Sequence, residues 1–218
     1  MPVKDWMTKS LITIDENDSI MRASKIMKAN NIQHLPVMSK GRLAGIVSDR
    51  DLKEAQPSQA TTLDIHEMYY LLDKVKVKHI MPKQLYTIAP EDTVEKAAGV
   101  MLKHNISALP VVGAAEQMEG IITKGDIFRA FVSISGIHQA ELAIGFELED
   151  RPGTIGAVSN VIRAHGGRLA SILTGYEKAP PGHRRVFIRA RDVKDEEALH
   201  KELQSKFKVL YFTHDKVE

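Results

Sequence analysis

The stretch Gly45-Ile46-Val47-Ser48-Asp49-Arg50-Asp51 returns later in the chain as Gly120-Ile121-Ile122-Thr123-Lys124-Gly125-Asp126. Both copies read glycine, two aliphatic residues, serine or threonine, two variable residues and aspartate. A chain that aligns with itself in this way indicates equivalent structural units that pack together. The repeat therefore predicts two such units, each presenting its own version of one site.

The segments around the motif recur as well. Val3–Met7 matches Val77–Met81, and Ile32–Val37 matches Ile106–Val111, each 74 residues further along. In both copies an apolar strand and a polar turn precede a segment with helical spacing, which is followed by two short strands and a second helix. The order strand, helix, strand, strand, helix is therefore predicted twice.

The expected bounds of these elements follow from apolar spacing and from residues that favour helix ends. The predicted strands are 11–14, 35–38 and 43–47, then 85–88, 109–112 and 120–122. The residues that can cap the first helices are Asp18 or Ser19, and Asp92 or Thr93. Those helices are expected to end at Asn30-Asn31 and His104-Asn105, since asparagine tolerates the left-handed conformation. The second helices are predicted at about 49–55 and 125–134.

The segment between the copies begins as a polar loop and continues with helical spacing. Its apolar stripe is Ile65, Met68, Leu72 and Val75, with Thr62 or Asp64 as the expected cap. We expect a helix that packs on the repeat pair. Contact with a second copy of the chain is the alternative, because Tyr69, Tyr70 and Leu71 widen the apolar surface.

No third copy follows Gly136. The pattern there predicts strand, helix, strand, strand, helix, strand, which is the order of a ferredoxin-like sheet with helices on one face. Asp150-Arg151-Pro152-Gly153 is the expected turn before the first helix of this part. The fold class is therefore α+β. The predicted divisions are 1–56 and 77–136 for the two repeat units, 57–76 for the segment between them and 137–218 for the last domain.

Composition narrows the possible partners and chemistry. The chain has 218 residues, 43% hydrophobic, and a net charge of +2 without a long basic block, so a packed core is expected and a nucleic-acid partner is not. Cysteine is absent, which excludes disulfides, thiolate catalysis and cysteine-bound zinc. The sequence shows no signal peptide and no membrane-spanning stretch, and we expect a cytoplasmic protein.

The repeated motif carries two groups that suit a nucleotide. Ser48 and Thr123 stand where a strand gives way to a helix, so a hydroxyl and free backbone N–H groups can meet one anion. Asp51 and Asp126 follow one turn later, where a carboxylate can accept both hydroxyls of a ribose. The alternative is a capping box, which has the same spacing and needs no ligand. Two copies of the pattern favour nucleotide binding, with capping compatible with it.

The chain resembles pairs of CBS domains, also called Bateman modules, over about residues 1–134. The residues that carry the resemblance are the two glycine-to-aspartate stretches and the corners Leu35-Pro36-Val37 and Leu109-Pro110-Val111. In that family two units pack about a pseudo-twofold axis and leave two clefts. The resemblance implies a first cleft formed by Ser48, Arg50, Asp51, Tyr86, Ile106, Ser107 and Ala108. It implies a second cleft formed by Thr123, Asp126, Ile12, Ile32, Gln33 and His34.

The same resemblance implies an effector that contains adenosine: AMP, ADP, ATP or S-adenosylmethionine. Tyr86 could stack on adenine in the first cleft, where Ile12 would offer the second only an aliphatic wall. We therefore predict that the two clefts bind with unequal affinity.

The C-terminal part resembles an ACT domain over about residues 139–218. The resemblance rests on the βαββαβ order and on the Asp-x-Pro-Gly pattern at 150–153. It implies side-by-side dimerisation and an amino-acid effector held near Asp150, Pro152, Gly153, Thr154 and Ile155. Two CBS units followed by an ACT unit is the layout of AcuB-type acetoin-utilisation proteins, which the chain resembles along its whole length.

Motifs for catalysis are not found in the sequence. It has no Gly-x-Gly-x-x-Gly, no Walker loop, no Gly-x-Ser-x-Gly elbow and no zinc-binding helix, and its nine histidines lack ligand spacing. We therefore expect no catalytic residues, no metal and no cofactor, but a regulatory homodimer that relays adenosine binding through the ACT domain to an unidentified protein target. The alternatives are an oligomerisation scaffold with empty clefts and an amino-acid sensor that acts through the ACT domain.

Overall fold

The computed structural model of the protein describes residues 1–55 and 72–216. The chain divides into two compact units, Met1–Ile127 and Phe128–Glu218. Within the described residues no helix is both long and apolar enough to cross a membrane.

The first repeat forms a small sheet with two helices. Its elements are β1 (Ile14–Asp15), α1 (Ile20–Asn30), β2 (His34–Ser39), β3 (Arg42–Ser48) and α2 (Asp49–Glu54). β2 pairs with β1 in parallel and with β3 antiparallel. The Ser19 side chain caps α1 by accepting from the Arg22 N–H, and Asn31 ends the helix with φ at 51°. Both ends agree with the prediction from the polar turn and the asparagine pair.

The second repeat has the same order. Its elements are α3 (Val94–His104), β4 (Ala108–Val112), β5 (Met118–Thr123) and α4 (Lys124–Ser135). Thr93 caps α3 by accepting from the Lys96 N–H, and Asn105 ends it with φ at 51°. Ser19 and Thr93 thus both cap a helix, and Asn31 and Asn105 both end one, as the self-alignment predicts.

The first strand of each copy is shorter than predicted. Instead of 11–14 the structure has Ile14–Asp15, and instead of 85–88 it has a single bridge from Ile88 to Val111. A strand exists only where a neighbour supplies hydrogen bonds, and here the neighbouring strand meets only the end of each apolar segment. Apolar alternation identified the segments but not the length of pairing.

The segments that lead into the repeats are exchanged between them. A 3₁₀ turn at Val3–Asp5 contacts the second repeat, where the Val3 N–H donates to the Asp92 carbonyl at 2.8 Å. A matching turn at Val77–His79 contacts the first repeat, where the Val77 N–H donates to the Asp18 carbonyl at 2.9 Å. Because Val77 is part of the first repeat's core, that core is not complete without a residue from the segment that leads into the second repeat.

The predicted helix between the copies lies mostly outside the described residues. Ile65, Met68, Tyr69, Tyr70 and Leu71 are not described by the structure. Leu72 is buried in the core of the first repeat, and Val75 packs against that core. The end of the predicted apolar stripe therefore contributes to the core of the repeat pair.

The second unit has the predicted βαββαβ order. Its elements are β6 (Leu142–Glu149), α5 (Thr154–Ala164), β7 (Arg168–Gly175), β8 (His183–Arg191), α6 (Glu196–Lys206) and β9 (Lys208–His214). The sheet order is β7-β8-β6-β9, and every neighbouring pair is antiparallel. This is the ferredoxin-like arrangement, because each helix connects two strands that are separated in the sheet by a third.

The core of this unit lies between one face of the sheet and the two helices. Alternate residues of β6 supply its centre, among them Ile144 and Phe146, which are fully buried. Val158 and Ile162 of α5 and Leu199 of α6 pack against them. An alternating strand and two helices with one apolar stripe each are what this layer arrangement requires.

Candidate functional site

A cavity of about 540 Å³ lies between the two repeats of the first unit. All seven residues predicted for the first cleft are in its lining: Ser48, Arg50, Asp51, Tyr86, Ile106, Ser107 and Ala108. Gln33 and His34, which the resemblance assigned to the second cleft, also line it, together with Lys124. The volume is in the range that small-molecule sites occupy. The residues that line this cavity come from three parts of the chain, 33–54, 82–86 and 105–124.

Ser48 and Asp51 form a complete capping box at the start of α2. One carboxylate oxygen of Asp51, Oδ2, accepts from the Ser48 N–H at 2.7 Å and from the Ser48 hydroxyl at 2.6 Å. The Ser48 hydroxyl in turn accepts from the Asp51 N–H at 3.3 Å. These bonds hold the carboxylate in one orientation at the edge of the cavity. The other oxygen, Oδ1, accepts no hydrogen bond from the described residues.

Thr123 and Asp126 repeat this geometry. Asp126 Oδ2 accepts from the Thr123 N–H at 2.7 Å and from the Thr123 hydroxyl at 2.8 Å. The surroundings differ, however, since Asp126 is only 2% exposed while Asp51 is partly exposed. The two copies therefore present the same pair of groups to different environments, and the first pair is the more accessible one.

The remaining second-cleft residues face the protein interior. Ile12 and Ile32 are partly buried and pack against the hydrophobic core of the first repeat. The predicted wall of the second cleft thus also serves as a cover for that core, which is the ordinary role of aliphatic side chains at such positions.

The Tyr86 ring stacks on the ring of His104. The ring centroids are 3.9 Å apart and the planes are inclined by 26°. Tyr86 is partly exposed and lines the cavity, so its ring contacts His104 and is still part of the cavity wall. A supported aromatic ring is a suitable surface for a flat heterocycle, because offset stacking is favourable and little side-chain entropy is lost.

His34 joins the two repeats within the cavity. Its Nε2 lies 2.6 Å from the Ser107 hydroxyl oxygen. Burial lowers the pKa of His34 below its ordinary value of 6.5, and the positive charge of Lys124 acts in the same direction, whereas the carboxylate of Asp51 opposes the shift. The ring is therefore expected to be neutral near pH 7.

The charged side chains of the lining are mostly paired. Arg50 Nε lies 2.8 Å from a Glu54 oxygen, and Asp49 is bridged at 2.6 Å by Lys53. Lys124 has no carboxylate partner within the described part of the chain. Exposed pairs of this kind are weak, so Arg50 remains able to turn towards an anion.

Some of the lining was not expected from the sequence. Pro82, Gln84, Asn105 and Lys124 line the cavity, although none of them was predicted for this cleft. Lys124 follows Thr123 directly, and its N–H donates to the Ser107 carbonyl at 3.0 Å, which ties it to the corner before β4. This bond extends the antiparallel pairing of β4 with β5, in which Ala108 is the partner of Thr123. The register of the two strands, rather than a sequence motif, therefore places Lys124 at the cavity.

The second unit has a cavity of about 530 Å³ at the turn before α5. Of the predicted effector residues, Pro152, Gly153 and Thr154 line it. Asp150 lies beside this turn with its Oδ1 3.4 Å from Arg184 Nε, and Ile155 packs against the core. Pro152, Gly153 and Thr154 therefore line one cavity, while Ile155 contributes to the packing of the core.

Metal binding finds no support in the side-chain arrangement. Across residues 1–55 and 72–216, no group of three or more His, Cys, Asp or Glu side chains is placed to hold a metal ion.

A family model described as "CBS domain" matches residues 3–58 and 77–133. The chain belongs to the CBS-domain family. The matched ranges contain both glycine-to-aspartate stretches and the exchanged leading segments, so the first unit is a CBS domain pair.

Among solved structures, the CBS domain pair of protein MJ0100 is 34% identical, with a TM-score of 0.51. The match covers 61% of this chain and 96% of that one, which was solved in complex with 5′-methylthioadenosine and S-adenosyl-L-methionine. A Vibrio cholerae protein described as an acetoin utilization protein (AcuB) is 29% identical, with a TM-score of 0.52, over 64% of this chain and 96% of that one.

One similar protein has an enzyme name. The L-aspartate semialdehyde sulfurtransferase of Methanocaldococcus jannaschii is 35% identical over 130 residues, which are 59% of this chain. This chain spans only 23% of that relative's length.

Proposed function

We propose that the protein is a regulatory sensor whose CBS pair binds an adenosine ligand in the cavity between its repeats. The observation that carries this proposal is the meeting of Asp51, Tyr86 and Ser107 around one cavity. These residues belong to two repeats, so a ligand that touches all of them favours one arrangement of the pair. The MJ0100 pair, which binds adenosine compounds, supports the ligand class.

The cavity suits the parts of adenosine in the following way. Asp51 Oδ1, which is free of hydrogen bonds from the described residues, can accept from the ribose hydroxyls. Tyr86, held by His104, offers a face for adenine. Arg50 and Lys124 supply positive charge for a phosphate or carboxylate. AMP, ADP, ATP and S-adenosylmethionine all remain candidates for the effector.

Binding is the proposed task of the cavity rather than catalysis. Ser48 and Asp51 hold one another in a capping box, and Arg50 pairs with Glu54. The Ser107 hydroxyl lies beside His34 Nε2, but among the described residues no carboxylate hydrogen-bonds the other ring nitrogen of His34, as the third member of a catalytic triad would. The enzyme names among the relatives belong to proteins of which this chain spans about a quarter. Turnover of a bound nucleotide would contradict this part of the proposal.

We further propose that the second unit is an ACT domain that passes on the state of the CBS pair. The ferredoxin-like strand order and the Pro152-Gly153 turn support this assignment. Residues 136–141 alone separate the end of α4 from the start of β6, which leaves little slack in the connection. The proposal includes a homodimer formed through this domain, an amino acid as its effector, and a protein target.

Calorimetric titration tests the sensor function. AMP, ADP, ATP, S-adenosylmethionine and 5′-methylthioadenosine are titrated into the full chain and into Asp51→Ala, Asp126→Ala and Asp5→Ala. At least one ligand should bind, and Asp51→Ala should weaken it by about 10-fold to 100-fold, because a charge-assisted hydrogen bond contributes about 1.5–3 kcal/mol. Asp5 is exposed and outside the cavity, so Asp5→Ala should bind as the wild type does.

The same titration separates the alternatives. If no adenosine compound binds or raises the melting temperature, the pair is an oligomerisation scaffold. If an amino acid binds while adenosine compounds do not, the protein is an amino-acid sensor. If both bind, linkage requires each to change the affinity for the other by the same factor, and independent affinities would contradict the relay.

A further inference from the structure

The charges around His34 bear on which adenosine ligand the cavity accepts. The titratable groups that share the cavity with its ring are Asp49, Arg50, Asp51 and Glu54 of α2, Lys124 of α4, and Tyr86. The ion pairs Arg50–Glu54 and Asp49–Lys53 each have a net charge of zero. What remains beside His34 is one carboxylate, Asp51, and one ammonium group, Lys124.

A phosphate monoester brings more negative charge than this lining can balance. Its second pKa is about 6, so near pH 7.5 it carries almost two negative charges. Lys124 offers one compensating charge. Arg50 can turn towards the phosphate, but this leaves the Glu54 carboxylate unpaired in the same lining, so the net charge of the lining does not change. Asp51 repels the phosphate. One further positive charge is needed inside the cavity, and a proton on His34 would supply it.

The position of His34 allows this proton to be taken up without rearrangement. In the sheet His34 is the register partner of Ser48, so it lies beside the hydroxyl-and-carboxylate pair of the first repeat. Its Nε2 faces the Ser107 hydroxyl, which can donate to a neutral ring nitrogen and can accept from a protonated one. The contact between the repeats therefore persists in both protonation states.

This contact has no counterpart across the repeat. Ala108 stands at the position that corresponds to His34, and Gln33 at the position that corresponds to Ser107. Alanine has no side-chain nitrogen, so the charge-adjusting group exists in one copy alone. The asymmetry marks His34 as a property of this cavity and not of the repeat in general.

Resting on the proposed function, we infer that His34 selects the ligand's charge: the ring takes up a proton when a phosphate-bearing adenosine ligand occupies the cavity and stays neutral with an uncharged one. Affinity for AMP should then fall as pH rises through the range in which the bound His34 loses its proton, by up to about tenfold per pH unit. Affinity for 5′-methylthioadenosine should change much less over the same range.

Calorimetry in buffers of different ionisation enthalpy counts the protons taken up on binding. The full chain is titrated with AMP and with 5′-methylthioadenosine between pH 7 and pH 8, where the AMP phosphate is already mostly dianionic. The variants are His34→Gln and His79→Gln, the latter removing an exposed histidine outside the cavity. The expected result is uptake of a fraction of a proton, up to about one, with AMP, retained in His79→Gln and lost in His34→Gln.

The outcomes separate this inference from the proposed function. If AMP binds to the wild type without proton uptake, or with the same uptake in His34→Gln, the inference is overturned and the sensor function stands. If 5′-methylthioadenosine binds but AMP binds at no pH from 6 to 8, the inference is likewise overturned and the sensor function stands. If neither compound binds, the inference is overturned, and the sensor function is overturned with it only if ADP, ATP and S-adenosylmethionine also fail to bind. Even if His34→Gln does not fold, a proton uptake of zero in the wild type overturns the inference.

Discussion

Met7 lies directly against Gly120 of the other repeat. A Cβ placed on Gly120 would stand 2.6 Å from Met7 Sδ and 2.9 Å from the Thr8 carbonyl oxygen. In the matching contact, a Cβ on Gly45 would stand 2.7 Å from Met81 Sδ. The glycine of the repeated motif is therefore required by the exchanged leading segment, which occupies the space that a side chain would need.

Replacing these glycines should destabilise the first unit unequally. We expect Gly120→Ala to lower its free energy of unfolding by about 1–3 kcal/mol, because a backbone oxygen as well as a side chain must move. Gly45→Ala should cost less, since it meets only the Met81 side chain. Urea unfolding followed through Trp6, the single tryptophan, measures both.

Gly99→Ala is the matched control for this pair. Gly99 lies inside α3, and a Cβ added there would meet no atom within 4 Å, so alanine should raise stability by about 0.5–1 kcal/mol. Equal losses for Gly45→Ala and Gly120→Ala would show that the Thr8 backbone is not the constraint.

The two aspartates of the motif should contribute unequally to the free energy of unfolding. We expect Asp126→Ala to lower the free energy of unfolding by about 1–3 kcal/mol, the cost of leaving a buried donor without its acceptor. Asp51→Ala should cost less, because water in the cavity can replace the carboxylate. Urea unfolding without ligand makes the comparison, and a larger loss for Asp51→Ala would reverse the assignment of the accessible copy.

His34 should make stability depend on pH. Its pKa in the folded protein is lowered, so the unfolded chain binds more protons between pH 6.5 and that lower value. The free energy of unfolding should therefore fall as pH drops through this window, and level off for this group below the folded pKa. The difference between wild type and His34→Gln isolates the contribution, because the other histidines are common to both. A difference that is independent of pH between about 5 and 7.5 would contradict it.

Tyr86 should contribute to adenosine affinity through its ring. We expect Tyr86→Ala to weaken binding by about tenfold or more, since stacking of a base on an aromatic side chain contributes about 1–3 kcal/mol. Tyr86→Phe keeps the ring on His104 and should bind nearly as the wild type does. Titration with 5′-methylthioadenosine measures this without any phosphate contribution. Unchanged affinity in Tyr86→Ala would place the base elsewhere.

In the second unit, replacing either of two glycines by alanine should lower stability, for a different reason in each case. A Cβ on Gly145 would overlap the Tyr211 ring, so Gly145→Ala should lower stability by about 1–3 kcal/mol through crowding. Gly153 has open space but a φ of 89°, so Gly153→Ala should cost about 1–2 kcal/mol through backbone strain alone. Hydrogen exchange at the β6 amides reports both losses. No loss in Gly153→Ala would mean that the turn adapts.

Several features of the protein could be read from the order of its residues. The repeat, the helix caps at Ser19 and Thr93, and the left-handed ends at Asn31 and Asn105 depend on residues close together in the chain. The βαββαβ order of the second unit follows in the same way from local spacing. For the CBS pair, the resemblance also named all seven residues of the first cleft that line the cavity.

Other features depended on packing between distant segments. The pairing length of the first strands, the exchange of the segments that begin at Val3 and Val77, and the different burial of Asp51 and Asp126 are decided by which surfaces meet. The same holds for the contact between His34 and Ser107. Propensity and periodicity act within a few residues, so the sequence by itself determined the elements and the repeated groups. Only the tertiary structure decided which of the two aspartates is the more exposed, because burial is a property of the assembled pair.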